Sequence, residues 1–440
     1  VRADLGRGAL GDQLRGALSM DQVFALIDCN SFYCSCERIC QPALKHKPVV
    51  VLSNNDGCVI ARTAEVKALG IPMGAPYFKV RDQLRAGGVV VRSSNYTLYA
   101  DISNRVMRTI RDMVPGIEVY SVDECWADLT GIADLDGLGR QVRARLLRDI
   151  GMPVGVGIST TKTLAKLANW AAKKWPATGC VVDLTDPARQ AKLLHIAPVG
   201  EVWGIGRRLA PQLQTLGINT AWDLAHFDVA TLRKQFGVTL ERTARELRGV
   251  SCLDFNEGPP PKQAICSSKM FGEKLEDLAP IREALATYVT RACEKLRSQR
   301  SLCGAIQVSI KTQIHNPALP RYANAQTVAL PVPTDDTRDI LAPALRALYA
   351  IYRQGFAYSK CSILLMDLSQ RGELTADLFA PAARVGSDRV MAALDAINKR
   401  EGAGTLRLGR VPVDPWWGMK REMKSRFYTT RWDELIGVRG

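Results

Sequence analysis

The sequence predicts a multidomain α+β protein, and three observations carry that expectation. The chain has 440 residues, and at ~150 residues per domain this suggests about three domains. Short apolar runs suited to buried strands alternate with helical patterns to about residue 180, give way to a helical stretch, and then alternate again. Hydrophobic residues make up 47% and charged residues 23% of the chain, the composition of a folded rather than a disordered protein.

Residues 1–19 are rich in Gly, Arg and Leu without clear periodicity. They are expected to be an upstream extension, with a functional arm as the alternative. Folded sequence starts at Val23-Phe24-Ala25-Leu26-Ile27, an apolar run fit for a buried strand. A second run, Pro48 to Leu52, ends at the turn cluster Ser53-Asn54-Asn55-Asp56-Gly57, and Cys58 to Lys67 reads as helical. Val89 to Val91 and the longer run Ile117 to Leu129, interrupted by acids, are further strand candidates. Val154 to Ile158 leads into a helix from about Thr160 to Lys174. From about 185 to 250 the pattern is helical with Gly-centred turns, and Pro259-Pro260-Pro261 reads as an extended linker. Beyond it, Ile306 to Ile310 and Ser362 to Met366 look like strands, and Arg282 to Arg297 and Thr337 to Tyr352 like helices, a second and smaller α+β domain. From about 371 the chain becomes Gly-, Pro- and Arg-rich.

Lys plus Arg number 59 against 44 Asp plus Glu, a formal charge of +15. That excess points to a polyanionic partner, most simply nucleic acid, with an acidic membrane surface as the alternative. Much of it falls late: residues 161–250 hold 13 Lys and Arg against 7 Asp and Glu, and 262–370 hold 14 against 9. No apolar run approaches the ~18 residues of a spanning helix, and residues 1–19 contain no secretory apolar core. The twelve cysteines are scattered, several within apolar runs, as reduced buried thiols are. Cys34, Cys36 and Cys40 lack the second pair that a zinc site needs. A soluble, cytoplasmic, basic protein is expected.

Two acidic positions stand out. Asp28 ends the first apolar run, where a lone Asp is ordinarily a turn or cap. Asp123-Glu124 ends the strand-like run Ile117-Glu118-Val119-Tyr120-Ser121-Val122. Two adjacent carboxylates are costly there if buried. They form either an exposed strand end or a divalent-metal site, since Mg²⁺ prefers carboxylate oxygens and substrate phosphates. Neighbours on a strand point to opposite faces, so a shared site requires the backbone to depart from regular β geometry at 123–124.

Thr160-Thr161 supplies helix-capping residues, after which Leu164, Leu167, Ala168 and Ala171 form an apolar face. Lys162, Lys166, Asn169 and Lys173 form a second stripe, either a solvated face or a polyphosphate-binding one. Gly155-Val156-Gly157 lacks the spacing of a P-loop. Val202-Trp203-Gly204-Ile205-Gly206-Arg207 resembles the hairpin of a helix-hairpin-helix, whose amides face a DNA phosphate, with a plain αα-hairpin as the alternative.

Taken in order, these features resemble a Y-family DNA polymerase of the UmuC-type branch. The resemblance rests on Asp28-Cys-Asn-Ser-Phe-Tyr-Cys-Ser-Cys-Glu37, Tyr120-Ser-Val-Asp-Glu124, Pro48 to Arg62, Ser93 to Asp101, Lys162 to Asn169, Val202 to Arg207, Glu241 to Gly249 and Tyr428-Thr-Thr-Arg431. It runs from about Met20 to the end. It implies a right-hand polymerase: a ferredoxin-like palm (20–31 and 99–180), fingers (32–98), a helix-hairpin-helix thumb (181–252), a linker (253–262), a little finger (263–370) and a UmuC-type tail (371–440).

The resemblance also implies roles. Asp28, Asp123 and Glu124 match ligands of two Mg²⁺ ions, with the Cys29 backbone carbonyl assisting. Tyr33 matches the steric gate against a ribose 2′-hydroxyl. Lys67 and Lys173, with the amides of Phe32 and Tyr33, match triphosphate contacts, and Ile60 and Ala61 match small residues over the nascent base pair. Lys162, Lys166, Gly204, Gly206 and Arg207 are expected at DNA. Ala61 and Ala64 stand where many relatives outside this branch carry Thr and Tyr, which shifts triphosphate binding toward lysine. Thr375-Ala-Asp-Leu-Phe379 resembles a sliding-clamp peptide without its Gln and first Leu, leaving Leu378 and Phe379 as anchors. Primer–template DNA, dNTPs, a cleaved UmuD′-type dimer, a RecA filament and the sliding clamp are the implied partners. The implied activity is error-prone translesion synthesis in SOS-type mutagenesis. The rivals are a non-catalytic DNA-binding scaffold, which would not need three carboxylates, and a palm-type cyclase, which would not need the second basic domain.

Overall fold

The computed structural model describes residues 22–258, 260–313, 319–373 and 384–435. The expected extension 1–19 and the clamp anchors Leu378 and Phe379 lie outside the described residues. The chain forms two compact units. One comprises the described residues up to Leu52, those of Val59–Pro259 and those from Met423 on; the other comprises Ser53–Cys58 and Pro260–Glu422.

The first unit opens with β1 (Phe24–Cys29), α1 (Phe32–Cys40), β2 (Val49–Leu52), β3 (Val59–Arg62), α2 (Ala64–Ala68), α3 (Tyr77–Ala86), β4 (Val90–Ser93) and α4 (Tyr96–Arg111). It continues with β5 (Gly116–Val119), β6 (Glu124–Asp128), α5 (Leu135–Asp149), β7 (Val154–Ser159), α6 (Lys162–Lys174) and β8 (Val181–Asp183). Five helices close it: α7 (Pro187–Ile196), α8 (Leu209–Thr215), α9 (Ala221–His226), α10 (Val229–Phe236) and α11 (Val238–Leu247). β1 is the middle strand of a five-stranded sheet ordered β5-β6-β1-β7-β8. Both its faces are covered, which explains its unbroken apolar run. Ala25, Ile27 and Cys29 pack with residues of α1, α4 and α5 on one side. Phe24 and Leu26 meet Trp126 and Ala165 of α6 on the other. A three-stranded sheet, β3-β2-β4, has its own small core.

Here the structure corrects one expectation. Cys58 to Lys67 is not one helix: Val59–Arg62 is strand β3, paired with β2, and only Ala64–Ala68 is helical. Val59 and Ile60 are β-branched and pack well on a pleated surface.

The second unit contains β9 (Ile265–Leu275), α12 (Leu278–Ser298), β10 (Ser301–Thr312), β11 (Ala323–Thr334), α13 (Thr337–Ile351), β12 (Tyr358–Gln370) and α14 (Ser387–Glu401). Its antiparallel sheet, ordered β11-β10-β12-β9, shares one core with α12 and α13. β11 carries Pro331 and Pro333, which an edge strand tolerates because it need not donate every amide. All twelve cysteines are free, eight of them buried. Among the described residues no helix is long and apolar enough to cross a membrane.

Candidate active site

Asp28 sits near the end of β1, directly opposite Glu124 on β6 and Gly155 on β7. Directly opposed residues of an antiparallel pair share a face, so the two carboxyl groups lie on the same side of the sheet. Asp123 precedes β6 in the turn that joins it to β5. The amides of Tyr120 and Ser121 both donate to the Glu124 carbonyl, at 3.1 and 3.0 Å. Ser121 Oγ donates to Asp123 Oδ1 at 2.5 Å and accepts the amides of Asp123 and Glu124 at 3.3 and 3.1 Å. The Asp123 carbonyl accepts the Cys29 amide at 2.8 Å, tying this turn to the end of β1. The required departure from strand geometry is therefore present: one carboxylate occupies a turn and its neighbour begins a strand.

Burial pushes the Asp28 carboxyl up to about 7; Lys173 opposes that and Glu124 reinforces it. Burial would raise Glu124 too, but hydrogen bonds from Asp28 and Lys166 outweigh it and hold Glu124 below its ordinary range.

The lysine stripe of α6 faces these acids. Lys173 Nζ lies 2.5 Å from Asp28 Oδ1. Lys166 Nζ lies 3.0 and 3.1 Å from the two oxygens of Glu124. Lys162 Nζ donates to Glu118 Oε2 at 2.6 Å and to the Asp254 carbonyl at 2.7 Å. Glu118, Glu124 and Asp28 belong to β5, β6 and β1, neighbours in that order, so the helix pairs one lysine with each strand. Asn169 completes the stripe by donating to the carbonyls of Leu26 and Gly155 at 3.3 and 2.8 Å. The helix can lie this close because a Cβ on Gly157 would collide with the backbone of Ala165 and Asn169.

Two of the lysines expected at DNA are engaged within the protein. Lys162 is 3% exposed and sits between the rings of Trp126 and Phe255. Lys166 is engaged by Glu124 and lies over Tyr120 and Trp203. Helical spacing identifies a stripe but not what the stripe faces, and here it faces the sheet.

Tyr33 lies in the first turn of α1, which starts after Ser31 in a left-handed conformation (φ 46°). Its half-buried ring stacks on Tyr99 at 4.7 Å and 21° and meets Tyr96 edge-on at 5.9 Å. Burial raises its hydroxyl, followed by the influence of Tyr96 and Asp123, so the phenol lies in the field of the acidic turn. Phe32 is buried, and the amides of the first helical turn have no acceptor within the helix. Cys29 turns its thiol into the core, leaving only its backbone available to a site. Ala61 is buried in the same core, with Ile60 half-buried against it. Lys67 is exposed on α2. Gly204 (φ 87°), Gly206 and Arg207 are exposed on a turn between a single 3₁₀ turn, Val199–Glu201, and α8. The first element of the hairpin is thus shorter than a full helix. Trp203, on the same turn, packs against Tyr120 and Trp126.

Sequence reasoning missed Glu118, Ser121, Tyr96 and Tyr99. Glu118 lies in the same apolar run as Asp123-Glu124, and that third acid was the available signal. Asp28, Asp123 and Glu124 together offer oxygen donors suited to a hard divalent cation. As they stand, Lys173, Ser121 and Lys166 hold them, and among the described residues no three His, Cys, Asp or Glu side chains converge at metal-ligand spacing.

A family model described as impB/mucB/samB matches residues 27–170, and that of its C-terminal domain matches 262–378. Protein UmuC of Salmonella typhimurium is 49% identical over 422 residues, covering 95% of this chain and all of the relative. The chain belongs to the impB/mucB/samB family. Protein ImpB of Salmonella typhimurium is 45% identical, over 94% of this chain and 99% of the relative. DNA polymerase IV of Moorella thermoacetica is 29% identical, over 88% and 95%. A solved Y-family DNA polymerase chimera superposes with a TM-score of 0.63 at 20% identity, covering 79% of this family member and all of that chain. The fold is accordingly that of a Y-family polymerase with mixed α+β content. Residues 388–438 match a domain of unknown function.

Proposed function

We propose that this UmuC-like, Y-family DNA-directed DNA polymerase extends a primer across damaged template bases by two-metal nucleotidyl transfer, in SOS-type mutagenesis. The observation that carries the proposal is the opposition of Asp28 and Glu124 across β1 and β6, with Asp123 in the adjoining turn. Asp28, Asp123 and Glu124, with the Cys29 carbonyl, would hold two Mg²⁺ ions. Bound there, such ions would activate a 3′-hydroxyl and stabilise the departing pyrophosphate.

The side chains supply the remainder. Asp28 would serve as a carboxylate ligand. Lys173, bonded to Asp28 yet one-third exposed, turns to the triphosphate, aided by Lys67 and the amides of Phe32 and Tyr33. Tyr33 lies beneath the sugar and rejects a 2′-hydroxyl. Ile60 and Ala61 leave room over the nascent base pair. In this reading the large sheet is the palm, the β3-β2-β4 region the fingers, α7–α11 the thumb and the β9–β12 unit the little finger. Gly204, Gly206 and Arg207 grip a DNA phosphate, whereas Lys162 and Lys166 serve the interior. The partners are a UmuD′-type dimer, a RecA filament and, through Leu378 and Phe379, a sliding clamp in the cytoplasm.

Asp123→Ala tests this. It is expected to abolish primer extension and leave primer–template binding, followed by fluorescence anisotropy, unchanged. Retained extension would remove the proposal.

A further inference from the structure

We infer that Ser425, in the C-terminal segment that belongs to the first unit, is a positioning residue for Tyr33 and so for sugar selection. The inference rests on Tyr33 being the steric gate.

The segment docks through specific bonds. The Ser93 amide donates to the Met423 carbonyl at 3.1 Å, and the Met423 amide donates to Ser93 Oγ at 3.0 Å. Asn95, which caps α4, donates through Nδ2 to the carbonyls of Ser425 and Arg426, both at 3.2 Å, and to Ser425 Oγ at 3.1 Å. Ser425 then donates its hydroxyl to Glu37 Oε1 at 2.9 Å. The same oxygen accepts the Tyr99 hydroxyl at 2.7 Å, and the Tyr99 ring is the one on which Tyr33 stacks. Glu37 follows Tyr33 by one turn of α1.

Each link is buried: Glu37 is 0%, Tyr99 1% and Ser425 6% exposed. A buried carboxylate is costly unless well bonded, and a shape-matched apolar group there would serve packing at least as well. Glu37 nonetheless relies on two hydroxyls at one oxygen. Among the described residues its Oε2 accepts no hydrogen bond, and the charge paired with it is Arg92, whose Nε lies 3.9 Å away. Loss of the Ser425 hydroxyl leaves Tyr99 as the sole donor among the described residues and frees the carboxylate to swing toward Arg92. The ring beneath Tyr33 then loses its anchor. One segment of the domain of unknown function thereby gains a task at the nucleotide site.

The test compares ribonucleotide with deoxynucleotide incorporation by the full chain with its partners, for wild type, Tyr33→Ala, Ser425→Ala and Ser425→Thr. Tyr33→Ala is expected to raise the ribo/deoxy ratio of kcat/KM most. Ser425→Ala is expected to raise it roughly threefold to tenfold, as when part of one hydrogen bond to a buried carboxylate is felt at the gate. Ser425→Thr, which keeps the hydroxyl, restores the wild-type ratio. A Ser425→Ala ratio equal to wild type while Tyr33→Ala raises it would overturn the inference and spare the gate. An unchanged ratio in Tyr33→Ala would remove the gate itself. Amide hydrogen exchange then judges the positioning without reference to activity. Faster exchange in Phe32–Cys40 and Tyr96–Arg111 of Ser425→Ala supports it, and unchanged exchange overturns it.

Discussion

At the scale of single residues, lysines of one helix do different work according to burial. Lys162 is locked against Glu118 and the Asp254 carbonyl between two aromatic rings. Breaking one partner of a buried pair costs about 3 kcal/mol, because the other charge is left stranded. Lys162→Ala should therefore lower the melting temperature while leaving the salt dependence of DNA binding unaltered; a shallower salt slope at unchanged stability would return this lysine to the DNA face. Carboxylates at the end of an apolar run demand a reason, but the residues alone left Asp28 a turn or cap and Asp123-Glu124 an exposed strand end or a metal site, and only the family resemblance joined the three. The direction of the lysines was not readable. Spacing places Lys162, Lys166 and Lys173 on one stripe, and only the packing of α6 over Gly157 shows that the stripe looks down at β5, β6 and β1.

At the scale of elements, the continuous apolar runs and the clearly periodic helix were legible and the irregular segments were not. β1, β2, β7 and α6 follow from apolar runs and periodicity. β11 escaped notice because Pro331 and Pro333 argue against a strand unless it lies at an edge. α14 escaped because Gly- and Pro-rich sequence surrounds it. Its attachment carries a prediction. Asp336 caps α13, accepting the Arg338 amide at 2.8 Å, binds the Arg338 guanidinium at 2.6 Å, and accepts the Ser387 hydroxyl at the start of α14 at 2.5 Å. Burial would raise its carboxyl, but these bonds prevail and hold it at about 2, below the ordinary 3.8. A depressed folded-state value stabilises the fold above the unfolded value and loses that contribution as the carboxylate is protonated. Wild type should thus lose this share of its stability as pH falls from about 4 to about 2. Asp336→Ala should cost about 2 kcal/mol at neutral pH and flatten that part of the profile. Parallel profiles for the two proteins in acid denaturation would contradict the assignment.

At the scale of the whole molecule, the sequence division into alternating, helical and again alternating regions matches the order of elements along the chain. What it did not reveal is that residues from Met423 on belong to the first unit while the preceding stretch belongs to the second. Side chains more than three hundred positions apart, such as Asn95 and Ser425, meet there, and no local pattern announces such a contact. The polymerase reading joins the scales: β1 and β6 set two acids side by side, a serine-held turn adds the third, and a basic chain supplies affinity for DNA. The most direct measurement is primer extension past an abasic site with Mg²⁺, comparing wild type with the double change Asp123→Ala, Glu124→Ala, each alone and with UmuD′-type partner and RecA filament. Bypass by wild type and none by the double variant, at equal DNA affinity, is the predicted result. Equal bypass by both, or DNA binding without synthesis by either when the partners are present, would contradict the claim that these carboxylates drive nucleotidyl transfer.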